Sequence, residues 1–284
     1  MPSRAYRFAL LGHPVSHSLS PRMHMASFRA LGIQAVYETI DVLPEALAEC
    51  LDRCRQEGFD GLNVTLPHKT AALAQMTRVD PIAHCAGAIN TVRFEADGCT
   101  GFNTDITGFL ASLQEDCGIT PEGQRVLVLG CGGAGRAVAL GCAQSGAAAI
   151  ALADCDRAKA LRLAQDLARV PGNNSRIRIV DDGCAAAREA DLVVHCTPAG
   201  LHAGDVSPLP PEAFRPGQVL YDVVYTAPVT PIMRVAQEGG AKTSNGLGML
   251  IHQGAHAFKI WTGLDADVEV MRKSLTQRHE GHNG

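Results

Sequence analysis

An α/β architecture of two domains is expected from three observations. Short Val-, Ile- and Thr-rich runs alternate with helix-length segments, the alternation restarts near Arg125, and a glycine-rich turn there joins a buried apolar run to a helix. The length of 284 residues also exceeds the usual size of one domain.

In the first half, Tyr6–Gly12, Ala35–Val42, Gly61–Leu66 and Ala88–Glu95 have strand character, which predicts a parallel or mixed sheet. Ser20–Leu31 and Pro44–Glu57 read as helices, the second with proline in its first turn and Gly58 as its stop. In the second half, Val126–Leu129 is a continuous apolar run of the kind buried on both faces of a parallel sheet. Strands follow at Ala149–Ala153, Ile177–Val180, Leu192–His195 and Val219–Val223, with helices such as Asp156–Ala168 between them, a doubly wound order. Past Asn245-Gly246, the residues Leu247, Leu250, Ile251, Ala255, Phe258 and Trp261 recur at helical spacing and predict a long terminal helix that returns to the first domain. The expected boundaries are 1–107, 108–246 and 247–284. Only the polar tail after Thr276 is expected to be disordered.

Composition narrows the function. Hydrophobic residues make up 46% and charged residues 19%, the profile of a chain with a substantial core. A net charge of −4 provides no basic surface for nucleic acid, and no apolar run reaches membrane-spanning length, so neither partner is expected. The N-terminus has no signal-peptide core and the 10 cysteines are scattered singly, which points to a reducing, cytoplasmic setting. His252 and His256 have the i, i+4 spacing of zinc ligands but lack a third ligand, so no metal site is expected.

The turn Gly130-Cys131-Gly132-Gly133-Ala134-Gly135 satisfies G-x-G-x-x-G between a strand and the helix-like run Arg136–Gln144. Gly130 permits the tight turn, Gly132 lets backbone approach a pyrophosphate, Gly135 lets helix and strand pack closely, and the helix N-terminus offers free N–H groups. Asp154 lies 24 positions after Gly130, where an acidic residue accepts hydrogen bonds from the adenosine ribose. That carboxylate favours NAD over NADP, although Arg157 offsets part of the repulsion a 2′-phosphate would meet. Asp156 fits better than Asp154 as the cap of the following helix.

Four polar segments of the first half flank strand ends: Ser16-His17-Ser18-Leu19-Ser20-Pro21, Asn63-Val64-Thr65-Leu66-Pro67-His68-Lys69, Gly87-Ala88-Ile89-Asn90-Thr91 and Gly101-Phe102-Asn103-Thr104-Asp105. Ligands collect at the carboxyl ends of strands in open α/β sheets, so these loops are expected to form one cleft. Their hydroxyls, amides, one lysine and one aspartate suit a small polyhydroxylated carboxylate. Lys69 can take a hydroxyl proton as a hydride leaves and return it in reverse, with Asp105 holding the ammonium.

These segments, H-S-x-S-P, N-V-T-x-P-x-K, G-A-x-N-T and G-x-N-T-D, followed by G-x-G-G-x-G-R, resemble the shikimate dehydrogenase family, including its quinate/shikimate branch, from about Gly12 to Thr262. The resemblance implies a substrate domain followed by a Rossmann domain, and NAD(P)-dependent oxidation of shikimate to 3-dehydroshikimate. It implies Lys69 and Asp105 as the catalytic pair and Ser18 and Ser20 as carboxylate-binding hydroxyls. It further implies that Asn63, Thr65, Asn90 and Asp105 contact ring hydroxyls, that Gln253 binds substrate, and that Tyr225 borders substrate and nicotinamide. Gly130, Gly132, Gly133, Ala134, Gly135, Asp154, Arg157, Thr197 and Gly246 are the expected cofactor residues.

The chain departs from the NADP-specific family pattern, Asn-Arg-Thr, with Asp154-Cys155-Asp156-Arg157, which resembles the NAD-using branch. Ser20 leans towards shikimate, because NAD-using quinate enzymes tend to carry threonine there, and one methyl is worth about 1–3 kcal/mol of discrimination. Quinate or aminoshikimate is the alternative substrate, and a catalytically silent ligand-binding paralogue is the alternative of another class. A methylene-tetrahydrofolate dehydrogenase-like enzyme would leave Ser18, Ser20 and Asn90 unexplained. Monomer and homodimer are both compatible with the sequence. His195 stands where the family usually has asparagine, a change that the sequence leaves without a physical reason.

Overall fold

The computed structural model describes residues 4–202 and 204–276, so the tail after Thr276 lies outside the described residues. Two compact units make up the chain, Met1–Thr104 with Ile251–Gly284, and Asp105–Leu250.

The first unit is built on a six-stranded mixed sheet. Strands β1 (Tyr6–Gly12), β2 (Ala35–Asp41) and β3 (Gly61–Val64) run parallel, with the helices α1 (Ser20–Ala30) and α2 (Leu47–Gln56) between them in sequence. The short helices α3 (Lys69–Leu73) and α4 (Pro81–Ala86) flank β4 (Arg78–Val79), and a hairpin of β5 (Thr91–Glu95) and β6 (Gly98–Phe102) follows. The strand order is β2-β1-β3-β5-β6-β4, with β5 antiparallel to both β3 and β6. On one face Leu11, Leu51, Leu62, Ile89 and Val92 form a buried core.

Phe8 begins a run of stacked aromatics on this unit. Its ring lies 5.1 Å from Phe28 and 4.7 Å from Trp261, and Phe28 lies 4.7 Å from Phe258. Trp261 and Phe258 belong to α10 (Leu247–Thr262), which packs through them on Phe8 and Phe28. Trp261 Nε1 donates to the Val92 carbonyl at 2.9 Å, which satisfies the one polar atom that burying an indole brings with it. The terminal segment is two helices rather than one. Gly263 at φ +74° ends α10, and the Asp267 carboxylate accepts from Glu269 N and Val270 N to start α11 (Val268–Thr276).

The second unit is doubly wound and parallel throughout. After α5 (Asp105–Ser112) the strands are β7 (Arg125–Leu129), β8 (Ala149–Ala153), β9 (Arg176–Ile179), β10 (Leu192–His195), β11 (Val219–Asp222) and β12 (Lys242–Asn245). Their order, β12-β11-β10-β7-β8-β9, reverses direction between β7 and β10. The crossover helices are α6 (Gly133–Gln144), α7 (Arg157–Leu167), α8 (Gly183–Glu189) and α9 (Pro231–Glu238). Beyond its first residue β7 is buried, as its continuous apolar run predicts. Among the described residues no helix is long and apolar enough to cross a membrane.

Several element ends differ from expectation. The strand expected over Gly61–Leu66 stops at Val64, and that over Ala88–Glu95 begins at Thr91, where Ala88 N and Ile89 N bond to the Ala83 and Lys69 carbonyls of the short helices rather than to a strand. Pro44–Ala46 is a 3-10 turn ahead of α2. β6 (Gly-Cys-Thr-Gly-Phe) and β12 (Lys-Thr-Ser-Asn) went unpredicted, since glycine and polar residues have low strand propensity and here the neighbouring strand supplies the pairing. Replacing Phe258, fully buried, by alanine is expected to destabilise the first unit by about 3–5 kcal/mol. A thermal midpoint equal to that of the parent would contradict this packing.

Candidate active site

The first unit gathers its uncharged polar residues into one buried network. Asn63 is the penultimate residue of β3 and Asn90 immediately precedes β5, at 4% and 2% exposure. Asn63 Oδ1 accepts from the Tyr37 hydroxyl at 2.7 Å, while its Nδ2 donates to the Asn90 carbonyl and to Thr91 Oγ1, each at 3.2 Å. Asn90 Oδ1 accepts from Thr104 N at 2.8 Å and from Thr91 Oγ1 at 3.0 Å. Asn90 Nδ2 donates to Thr104 Oγ1 at 2.9 Å and to Gln253 Oε1 at 3.3 Å. Both amides are thereby locked in orientation, which is what a site reading hydroxyl groups requires.

Beneath the network, His24 stacks on Tyr37 with ring centroids 4.8 Å apart. Burial drives the His24 imidazole down to about 3, so the ring is neutral, and burial likewise pushes the Tyr37 phenol up. Tyr37, Thr91 and Thr104 are absent from the sequence-predicted set. Thr91 and Thr104 sit inside the polar motifs, whereas Tyr37 reads as an ordinary strand residue whose hydroxyl has no pattern to betray it.

Ser18 and Ser20 meet at the start of α1, Oγ to Oγ at 3.3 Å. The cap position is Leu19, which has no polar side chain, and Ser18 Oγ accepts instead from Ser20 N at 3.2 Å. Thr65 follows β3 directly, its N–H donating to the Leu11 carbonyl at 2.8 Å. Lys69 is half-buried as the first residue of α3, and its carbonyl accepts from Ile89 N at 2.9 Å, one residue before Asn90. Asp105 opens α5 in the second unit at 5% exposure, where a carboxylate complements the helix dipole.

The glycine turn of the second unit has the geometry its spacing predicts. Gly130 adopts φ +93°, and a Cβ on Gly135 would lie 1.8 Å from the Gly130 carbonyl oxygen. A Cβ on Gly132, in contrast, would meet nothing within 4 Å, so backbone is open there to an approaching group. Gly132 caps α6, and Arg136 N to Gly132 O at 2.8 Å is the first turn's bond, which leaves the N–H groups of Gly133, Ala134 and Gly135 at the helix mouth. This cradle fits a pyrophosphate.

Asp154 follows β8. Burial opposes its ionisation, but N–H donors from Cys131 at 2.6 Å and Asp156 at 2.8 Å hold the carboxyl below its ordinary range. Asp156, not Asp154, caps α7, accepting from Ala158 N at 3.0 Å. Arg157 is exposed and ion-paired with Asp181. Thr197 lies just past β10, and Tyr225 just past β11, half-buried with its phenol pushed up by burial. Gly246 precedes α10 so close to β11 that a Cβ would lie 2.1 Å from the Val223 carbonyl oxygen. Among the described residues no group of three His, Cys, Asp or Glu side chains could hold a metal ion.

A doubly wound parallel sheet with this turn, joined to a mixed-sheet unit rich in buried amides, defines a dinucleotide-dependent α/β oxidoreductase. The shikimate dehydrogenase substrate binding domain matches residues 10–92, and the shikimate 5'-dehydrogenase C-terminal domain matches residues 246–276. The saccharopine dehydrogenase NADP binding domain matches residues 126–206. A shikimate dehydrogenase (NADP(+)) of Moorella thermoacetica is 44% identical over 97% of this chain and 94% of its own. The crystal structure of the Thermus thermophilus shikimate 5-dehydrogenase with NADP(H) and shikimate is 41% identical, with a TM-score of 0.85 over 95% of this chain and 98% of that one. Quinate dehydrogenase from Corynebacterium glutamicum in complex with NAD is 32% identical, with a TM-score of 0.87 over 95% and 98%. The chain belongs to the shikimate dehydrogenase family.

Asn90→Ala would strip the buried hydroxyl and N–H of Thr104 of their acceptor, a cost of about 1–3 kcal/mol per orphaned group. A lowered thermal midpoint is expected, and an unchanged one would show that the network is dispensable.

Proposed function

We propose that the chain catalyses the reversible oxidation of the C3 hydroxyl of shikimate to 3-dehydroshikimate with NAD(P), with residues 1–107 as the substrate domain and 108–246 as the cofactor domain. The observation that carries this reading is a pyrophosphate cradle at Gly130–Gly135 in the same chain as an orientation-locked set of amides and hydroxyls around Asn63 and Asn90. The dinucleotide, when bound, supplies a hydride acceptor in one direction and a donor in the other.

Lys69 in its amine form takes the hydroxyl proton as the hydride leaves C3, and its ammonium protonates the alkoxide in reverse. Asp105 is the second member of the catalytic pair in this reading. The Ser18 and Ser20 hydroxyls donate to the substrate carboxylate; being neutral, they leave the charge of Lys69 to the alkoxide. Asn63, Thr65, Asn90 and Gln253 hold the ring hydroxyls, and Tyr225 borders substrate and nicotinamide. Lys69→Ala is expected to lower kcat/KM about 10²–10⁴-fold while shikimate still binds. Equal turnover in mutant and parent would remove Lys69 from the chemistry.

NAD is the preferred cofactor in this reading, although relatives are called NADP(+)-dependent. Asp154 places a carboxylate where the adenosine ribose is read, and Arg157, the residue that would receive a 2′-phosphate, is paired with Asp181. Ser20 favours shikimate over quinate. Initial rates with shikimate and quinate, each paired with NAD and NADP, test both choices. Shikimate with NAD is expected to give the largest kcat/KM, and Asp154→Asn to shift the ratio towards NADP by about tenfold. A parent that prefers NADP would overturn the assignment.

A further inference from the structure

His195 closes β10 and Asp222 closes its neighbour β11, and both side chains are 0% exposed. A buried carboxylate needs donors, and Asp222 has three: His195 Nδ1 at 2.9 Å, Val224 N at 3.0 Å and Thr230 Oγ1 at 2.5 Å. Since an ionised carboxylate only accepts, the Asp222 contact puts a proton on Nδ1. Nε2 then accepts from the Thr197 hydroxyl at 2.5 Å, and Thr197 Oγ1 accepts in turn from Ala199 N at 3.3 Å. The result is a chain of donors running from Ala199 through Thr197 and His195 to Asp222, met there from the other side by Thr230, which caps α9. It joins the loop after β11 to the loop after β10 through one imidazole.

Those loops stand at a defined place in the sheet. β10 borders β7 where the strand order reverses, and the Cys196–Thr197 peptide packs on the glycine turn: a Cβ on Gly130 would lie 2.8 Å from Cys196 O and 3.0 Å from Thr197 N. In a doubly wound sheet the dinucleotide lies across this reversal, one nucleotide over each half. Asp154 stands on the β8 side, the adenosine half, which leaves the loops after β10 and β11 to the nicotinamide half.

We propose that His195 is a positioning residue for hydride transfer: with Asp222 it fixes the loops at 197–200 and 223–230 against the nicotinamide end of the dinucleotide. This rests on the cofactor reading above. It also gives the histidine a reason to be there. Its two ring nitrogens reach Asp222 and Thr197 at once, on opposite sides of a ring that has no freedom to slide. A buried polar chain whose members are all hydrogen-bonded rigidifies its surroundings and imposes one geometry.

The test is a double-mutant cycle of His195→Asn and Thr197→Val in the full chain with saturating NAD, reading kcat, KM for shikimate, the isotope effect of C3-deuterated shikimate and the thermal midpoint. Each single variant is expected to lower kcat about tenfold or more and to raise the isotope effect, with KM moving less than about twofold. The double variant should be no worse than the poorer single one, because both cut the same chain. An unchanged kcat and isotope effect in His195→Asn, whatever its midpoint, overturns the proposal, as does a multiplicative loss in the double variant. Should His195→Asn not fold, Thr197→Val, which keeps the buried pair, decides alone by the same criterion. If the parent oxidises no shikimate, the activity reading fails separately. Calorimetry then decides: His195→Asn must weaken NADH binding while leaving ADP-ribose, which lacks the nicotinamide, unaffected, and equal losses for both ligands overturn the proposal.

Discussion

The second unit depends on one close contact, the approach of Gly135 to the carbonyl of Gly130, where a single added carbon would sit 1.8 Å from oxygen. That approach lets α6 start directly beneath the end of β7 and aims its free N–H groups along the carboxyl edge of the sheet. The same turn supports the neighbouring strand loop through the Cys196–Thr197 peptide and binds the Asp154 carboxylate at Cys131 N. Three strand ends are therefore held together by this turn, which tolerates no side chain at Gly130 or Gly135.

The first unit is organised differently, around hydrogen bonds rather than close backbone packing. Asn90 binds residues from β5, from the segment after β6 and from α10, so one amide joins parts of the chain more than 160 residues apart. Burying these amides is tolerable because each has its partners, and it leaves them oriented before any ligand arrives.

Cofactor chemistry shows how local context changes the meaning of a residue. Asp154 accepts from the glycine turn at Cys131 N and from Asp156 N, and the proposed function gives it a further role at the ribose. Arg157, one turn further on, reads in the sequence as a counterweight to that charge, yet its guanidinium is paired with Asp181 from the segment after β9. The pairing partner lies 24 residues away, too far for a sequence pattern to announce.

Alternation of strand-like and helix-like runs, the continuous apolar run of β7 and the G-x-G-x-x-G spacing were enough to determine the α/β class, the doubly wound second unit and its dinucleotide turn, because all three are consequences of local periodicity and of backbone geometry that glycine alone permits. Ser18, Ser20, Asn63, Lys69, Asn90 and Asp105 were singled out together by the resemblance that the polar motifs carry. Left to tertiary structure were β6 and β12, whose residues have little strand propensity of their own, and the division of the terminal segment into α10 and α11. The partners of Asn63 and Asn90, the role of Tyr37 and the place of His195 between Asp222 and Thr197 were decided there too. Each depends on which side chains meet across strands distant in sequence, and a hydrogen bond between such residues leaves no periodicity behind.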